Sequence, residues 1–283
     1  MINKITIKKS VKIVDNKYAI KKKNKSLNNT FNYLLSRSFD YFPEVIKEDE
    51  EYIYYKYIED IKEPNEQKMV DIMILLSILH NKTTIYKELD INEYKYIYES
   101  TNKIIAETYN YYNELMNNID EQVYMSPSNY LIARNISLIY GTLNYAKEHI
   151  NLWYKMIENQ RKTRVVTIHN NLSLDHYLKQ DKPYFISWDK SKIDIPIYDL
   201  IILYKNHYLE YDFIDLLKIY LNKYPLKKEE MTLFLTLISI PDKIIKTNSE
   251  YKTVLEVRRI IDYIYKTKEL LKEYRIKEQS QKS

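Results

Sequence analysis

The chain has 283 residues, 45% of them hydrophobic and 29% charged, with a formal net charge of +5. That length supports a sizeable buried core, and the apolar runs break well short of the ~20 residues a bilayer-spanning helix needs, which excludes a membrane-spanning protein. Cysteine is absent, which excludes a disulfide framework, and the opening MINKITIKKSVKIV lacks the apolar stretch and cleavage site of a secretory signal, so a cytoplasmic location is expected.

Residues 1 to 25 hold nine lysines and one acid, Asp15. A solvated strand surface is the plainer reading of this bias. Contact with phosphate or nucleic acid is the sharper one, and a nucleic-acid partner is not expected. From Ile5 to Lys23 the chain is rich in Ile, Val and Tyr, and Asp15-Asn16 predicts a two-residue hairpin turn. Residues 27–37 carry Leu27, Phe31, Leu34 and Leu35 at helical spacing, and the run 52–58 after Pro43 predicts a return to strand. Beyond Pro64, helical periodicity covers 66–80, 91–119 and about 127–160, the last opened by Ser126-Pro127 as cap and first turn.

Between Arg164 and Trp188 the helical pattern gives way to two short apolar runs, VVTI and YFIS, which predict two strands framing a loop, a short hairpin inside the helical part. Helices resume at 196–208, at 210–222, after Pro225 and from about 249, with a tail from about 276 to 283 expected to fray. Strands first and helices afterwards make an α+β layout. The single glycine, Gly141, stands against 31 tyrosines, a bias that AT-rich coding produces. A fold that needs a glycine loop must here do without it.

The strip HNNLSLDHYL at 169–178, followed by ISWD at 186–189 and DIPIYDL at 194–200, resembles the active-site strip of the aminoglycoside phosphotransferase and choline kinase superfamily: His-Gly-Asp-Leu, Asn-x-Leu, Ile-Asp-Trp-Glu, Gly-Asp-Pro-x-Tyr-Asp-Leu. LLSILHNKT at 75–83 is similar to the family's helix ending in Leu-His. SFDYFPEVI at 38–46 and YPLKKEEMTLFLTLISIPDKIIK at 224–246 resemble the spore-coat kinase-like branch, which hints at a sporulating or related bacterium. The resemblance implies a protein-kinase-like, two-lobed fold with a small β-rich lobe at 1–61 and a larger, mainly helical lobe at 62–283, its catalytic loop at 169–189.

Phosphoryl transfer in that fold needs a carboxylate on the acceptor hydroxyl, two magnesium-holding side chains, a lysine on the phosphates and a loop over them. By the resemblance, the catalytic aspartate falls on Asn171, whose amide cannot act as a base near neutral pH. The metal-holding asparagine falls on His176 and the metal-holding aspartate on Ser187, both poor replacements where magnesium wants hard oxygen ligands. Asp189 or Asp175 could rescue one ligand. Tyr18-Ala19-Ile20-Lys21 resembles the strand whose lysine pairs with the phosphates, yet no Asp or Glu occurs from Asn24 to Ser38 to pair with Lys21, so one exposed lysine among three is the plainer reading. The nearest candidate for the phosphate-covering turn is Lys8-Lys9-Ser10. The positions that fit the pattern are architectural: His169, Pro196, Tyr198 and Asp199.

His80, His149 and His207 lack ligand spacing and are read as surface or core residues, so no metal site is expected. Tyrosine clusters such as Tyr109, Tyr111 and Tyr112 are read as packing. The expected function is a pseudokinase that binds a partner protein or a small ligand in the interlobe cleft, with no cofactor. One alternative is an atypical phosphotransferase for an alcohol acceptor that uses ATP and Mg with Lys21, Asp175 and Asp189. The other is a nucleic-acid-binding module.

Overall fold

A computed structural model describes residues 5–8, 11–24 and 26–280, with side chains described for 11–24 and 26–274. Residues 9 and 10 of the turn expected at Lys8-Lys9-Ser10 and the last residues of the expected frayed tail lie outside the described residues. In chain order the elements are β1 (Ile5–Lys8), β2 (Val11–Val14), β3 (Tyr18–Lys22), α1 (Asn28–Ser36), β4 (Val45–Glu48), β5 (Tyr52–Lys56), α2 (Asn65–Thr83), β6 (Ile85–Glu88), α3 (Ile91–Asp120) and α4 (Pro127–Ile157). They continue with β7 (Lys162–Ile168), β8 (Tyr177–Lys179), β9 (Pro183–Phe185), β10 (Lys192–Asp194), α5 (Ile197–His207), α6 (Phe213–Lys223), α7 (Lys228–Ile238) and α8 (Glu250–Ser280). No helix among the described residues is long and apolar enough to cross a membrane.

The chain divides into two compact units: residues 1–85, 164–203 and 216–225 form one, and 86–163, 204–215 and 226–283 form the other. The first holds an antiparallel five-stranded sheet of order β1-β2-β3-β5-β4. Asp15 and Asn16 both take positive φ, 53° and 51°, the left-handed pair that a tight hairpin turn requires. The connection is one residue longer than expected: Lys17 N closes the turn on Val14 O at 3.0 Å and Lys17 O accepts from Tyr57 N at 2.9 Å, so the strand pairing starts with Tyr18 opposite Val14. Helix α1 buries Phe31 and Leu34 and closes with Ser38 at φ 57°, where Phe39 N reaches back to Leu34 O at 2.9 Å and Ser38 N to Leu35 O at 2.9 Å, satisfying the terminal carbonyls. Phe39 and Phe42, from the segment after that turn, are buried and stand edge-on to Trp188, with ring centroids 6.1 and 6.3 Å away.

The expected pairing of VVTI with YFIS is not what forms. β7, which contains VVTI, pairs with β10, and β9 pairs with β8 in its own two-stranded hairpin. Three-residue strands such as β8 and β10 are too short to show an alternating pattern, so their pairing is set by neighbours distant in sequence.

In the second unit, tyrosine does the packing that leucine does elsewhere while its hydroxyl finds an acceptor. Tyr94 stacks on Trp153 and Tyr98 on Tyr154, at 5.8 and 4.4 Å between centroids, joining α3 to α4. Tyr112 is fully buried and donates to Asp242 O at 2.8 Å, while Tyr263 donates to Ile238 O at 2.6 Å. Gly141 lies in the middle of α4 with nothing within 4 Å of where a Cβ would stand. Gly141→Ala is therefore expected to raise the unfolding free energy by about 0.5–1 kcal/mol in urea titration, since alanine loses less backbone freedom in a helix. An unchanged or lower midpoint would contradict this.

Candidate functional site

The candidate site lies wholly within the first unit and is built around one buried carboxylate. β7 delivers the chain to His169, and the first turn of α5, after Pro196, delivers Asp199. Asp199 is fully buried; one of its oxygens accepts from His169 N at 2.8 Å and the other from Asn170 N at 2.7 Å. An acidic residue in a helix's first turn also meets the positive end of the helix dipole. Asn170, at the place where the strip it resembles has glycine, sits at φ 58°. Asparagine tolerates it better than most residues, and its side chain donates to Lys190 O at 3.2 Å.

A third partner reaches Asp199 from α2. His80 is fully buried, its Nε2 lies 3.3 Å from Asp199 Oδ2, and its Nδ1 lies 2.7 Å from the Tyr220 hydroxyl on α6. The carboxylate accepts only, so Nε2 carries a proton and donates to it, while Nδ1 shares its hydrogen bond with the Tyr220 hydroxyl. Sequence reading placed His80 at the surface or in the core without a role. Its partners lie 119 and 140 residues away, so no local spacing signals them, although the Leu-His ending of the helix marks the position.

His169 itself is fully buried. Its Nε2 donates to Ile186 O at 2.9 Å, and its ring stands 4.8 Å from Trp188 and 5.5 Å from Phe185. Burial pulls its pKa down to about 4, against a smaller upward pull from Asp199. The ring is neutral at ordinary pH, and Nδ1, left without a hydrogen-bond partner, is the unprotonated nitrogen.

Beyond the brace the loop turns onto itself. His176 Nδ1 donates to the backbone carbonyl of Asn171 at 2.5 Å, and Ile186 N donates to His176 O at 3.0 Å. Asp175 is exposed in the same turn. Ser187 adopts φ 67° and ψ 50°, an uncommon conformation for a non-glycine residue; such outliers cluster at functional sites. Trp188 follows it into the core and donates from Nε1 to Phe185 O at 2.7 Å. Tyr198 packs under the Lys192 ammonium, 5.8 Å from its ring centroid.

Lys21 is not one exposed lysine among three. It forms an ion pair with Asp189, and the two side chains are only 17% and 15% exposed. The acidic partner missing from α1 is thus supplied from the loop after Trp188. Across the sheet Tyr55 lies opposite Ala19 in register, on the face that Lys21 shares. Its phenol is pushed up by burial, with Asp189 and Glu48 adding to the effect. Among the described residues no three His, Asp or Glu side chains converge into a metal-holding set.

Sequence reading also missed the polar tie between the segment after β5 and the β8–β9 hairpin. Lys179 Nζ bonds Glu63 at 2.7 Å and Asp71 at 2.9 Å, Tyr177 donates to Asp71 at 3.1 Å, and Asp60 accepts from Lys179 N at 2.9 Å. Ile61 N completes it by donating to Lys179 O at 2.8 Å.

No protein-family model matches the chain, and no curated protein sequence matches it. Solved structures do. The aminoglycoside phosphotransferase of Alicyclobacillus acidocaldarius is similar at TM-score 0.73 and 8% identity, over 97% of this chain and 92% of that one. A spectinomycin phosphotransferase in its AMP-bound complex follows at TM-score 0.54 and 13% identity, over 93% and 92%. A glucosamine kinase in complex with glucosamine, ADP and phosphate is similar at 0.52 and 7%, over 96% and 76%. The chain therefore has a kinase-like α+β fold, that of the aminoglycoside phosphotransferases.

Proposed function

We propose that this chain is a pseudokinase of the aminoglycoside and choline phosphotransferase superfamily, acting by binding a ligand or a partner protein and not by phosphoryl transfer. One observation carries the reading: Asp199 braces the loop at His169 and Asn170, while the positions where chemistry would sit hold an amide at Asn171 and a hydroxyl at Ser187. An amide cannot take a proton from an acceptor alcohol, and a neutral hydroxyl is a weak magnesium ligand. The architecture of the loop is held and its carboxylates are replaced. The spore-coat kinase-like branch rests on the segments at 38–46 and 224–246, the first of which places Phe39 and Phe42 against Trp188.

A second reading, an atypical ATP-dependent phosphotransferase, draws on the Lys21–Asp189 pair and on structural neighbours named as phosphotransferases and kinases. It would work by charge and positioning more than by a base. Thermal unfolding with ATP, with and without magnesium, separates the two. A ligand held only by the folded state at ~100 times its dissociation constant adds about 2.7 kcal/mol. The pseudokinase reading expects magnesium to add nothing to whatever ATP does alone. A magnesium-dependent rise in the midpoint, or transfer to any alcohol above background that Asp175→Asn and Asp189→Asn abolish, would overturn it in favour of the enzyme.

A further inference from the structure

The second unit exposes large apolar side chains at one end. In the connection between α3 and α4, Val123 and Tyr124 are 88% and 89% exposed and Met125 follows at 46%; Tyr130 opens α4 at 55%. Ile245 and Tyr251, at 69% and 72%, belong to the segment that enters α8. Hydrogen bonds bind these stretches into one surface. Ser128 N donates to Glu250 Oε1 at 2.6 Å, Lys246 Nζ to Asn129 Oδ1 at 2.9 Å, and Asn129 Nδ2 to Gln122 Oε1 at 2.8 Å.

We infer that this surface is a self-association face, and that its occupant is the same face of a second copy of this chain. Area is the first argument. A buried tyrosine covers about 150–250 Å², so the three tyrosines with Val123, Met125 and Ile245 present on the order of 700 Å², close to the ~800 Å² per partner of a standard interface and above the few hundred Å² of ordinary exposed patches. Charge is the second. The rim carries both signs in equal number: Asp120, Glu121 and Glu250 against Arg134, Lys246 and Lys252, all exposed. A polyanion or an anionic bilayer would select a basic rim. A balanced rim suits a two-fold contact, in which each copy's acids meet the other's bases across a shared apolar centre.

The test is sedimentation velocity on the full chain from ~1 nM, with fluorescence detection, to ~100 µM, with light scattering at the upper end, because interfaces of this size range from micromolar affinity to far tighter. A dimer is expected, and Val123→Ser with Tyr124→Ser should weaken it about tenfold or more, as loss of a central aromatic anchor does. Both residues are almost fully exposed, so circular dichroism should show the variant folded. Tyr96→Ser, which removes a 71% exposed tyrosine elsewhere on α3, should leave association unchanged. A monomer throughout the range, a dimer indifferent to the double substitution, or a dimer equally weakened by Tyr96→Ser would overturn the proposal.

Discussion

Replacing Asp199 with alanine is expected to lower the unfolding free energy by about 3–5 kcal/mol, the largest single effect in the first unit. The buried amide of His169 at 2.8 Å, the partly buried amide of Asn170 at 2.7 Å and the His80 imidazole at 3.3 Å all lose their acceptor at once. Each buried donor left unsatisfied costs about 1–3 kcal/mol, and the collapse of a polar network removes the partners' support as well. For a domain stable by ~5–15 kcal/mol this is a large fraction of the whole. Asp199→Asn gives a graded comparison. It keeps one acceptor oxygen but turns its NH₂ toward a backbone N–H, so about half the loss is expected. Urea unfolding followed by tryptophan fluorescence is the measurement, since Trp188 is buried beside the braced loop, where His169 contacts it at 4.8 Å. A loss under ~1 kcal/mol in Asp199→Ala would show that the brace is ornamental to stability.

The second large effect is a pH dependence owed to His169. Its folded pKa, pulled down to about 4 by burial, lies below the ~6.5 of an unfolded histidine. As pH falls below ~6.5 the unfolded chain takes up this proton first, so stability is lost as pH falls. The contribution is complete above pH ~6.5, shrinks between ~6.5 and ~4, and is gone below, for a total of about 3 kcal/mol. Carboxylates such as Asp71, where burial pushes upward but hydrogen bonds from Lys179, Gln67 and Tyr177 together hold the group below its usual range, titrate lower and give their own loss in a more acid window. The neighbours that tune His169, namely Asp199, His176 and Asp189, are the same in a variant at this position, so a difference isolates it. His169→Gln can still donate to Ile186 O and carries no titrating proton. From pH 7.5 to pH 4.5 the wild type should lose about 2–3 kcal/mol more than His169→Gln. Parallel losses would mean that His169 takes up its proton at the same pH in the folded as in the unfolded chain, so that burial does not lower its pKa.

Wherever local pattern decides, the sequence was a good guide. The long amphipathic stretches became α2, α3, α4 and α8, and Ser126-Pro127 caps α4 as anticipated, with Ser126 Oγ accepting from Asn129 N at 3.3 Å. The Asp15-Asn16 turn formed because those two residues tolerate positive φ. The α+β kinase-like class was readable from the strip 169–200 combined with strands first and helices after. Pairing was less legible. VVTI and YFIS were assigned to one hairpin, whereas β7 and β9 each took another partner, since a three-residue strand carries too little pattern to name its neighbour.

What the sequence by itself determined is the identity of the side chains at the site: that residue 171 is an amide, residue 187 a hydroxyl, and that α1 offers Lys21 no acid. What only the tertiary structure decided is which groups those side chains meet. Lys21 finds its carboxylate 168 residues away in Asp189, and Asp199 gathers His80 from 119 residues before it. Period and propensity act over one turn of helix or one step of strand, whereas a buried charge is satisfied by whatever the closed chain brings within about 3 Å of it.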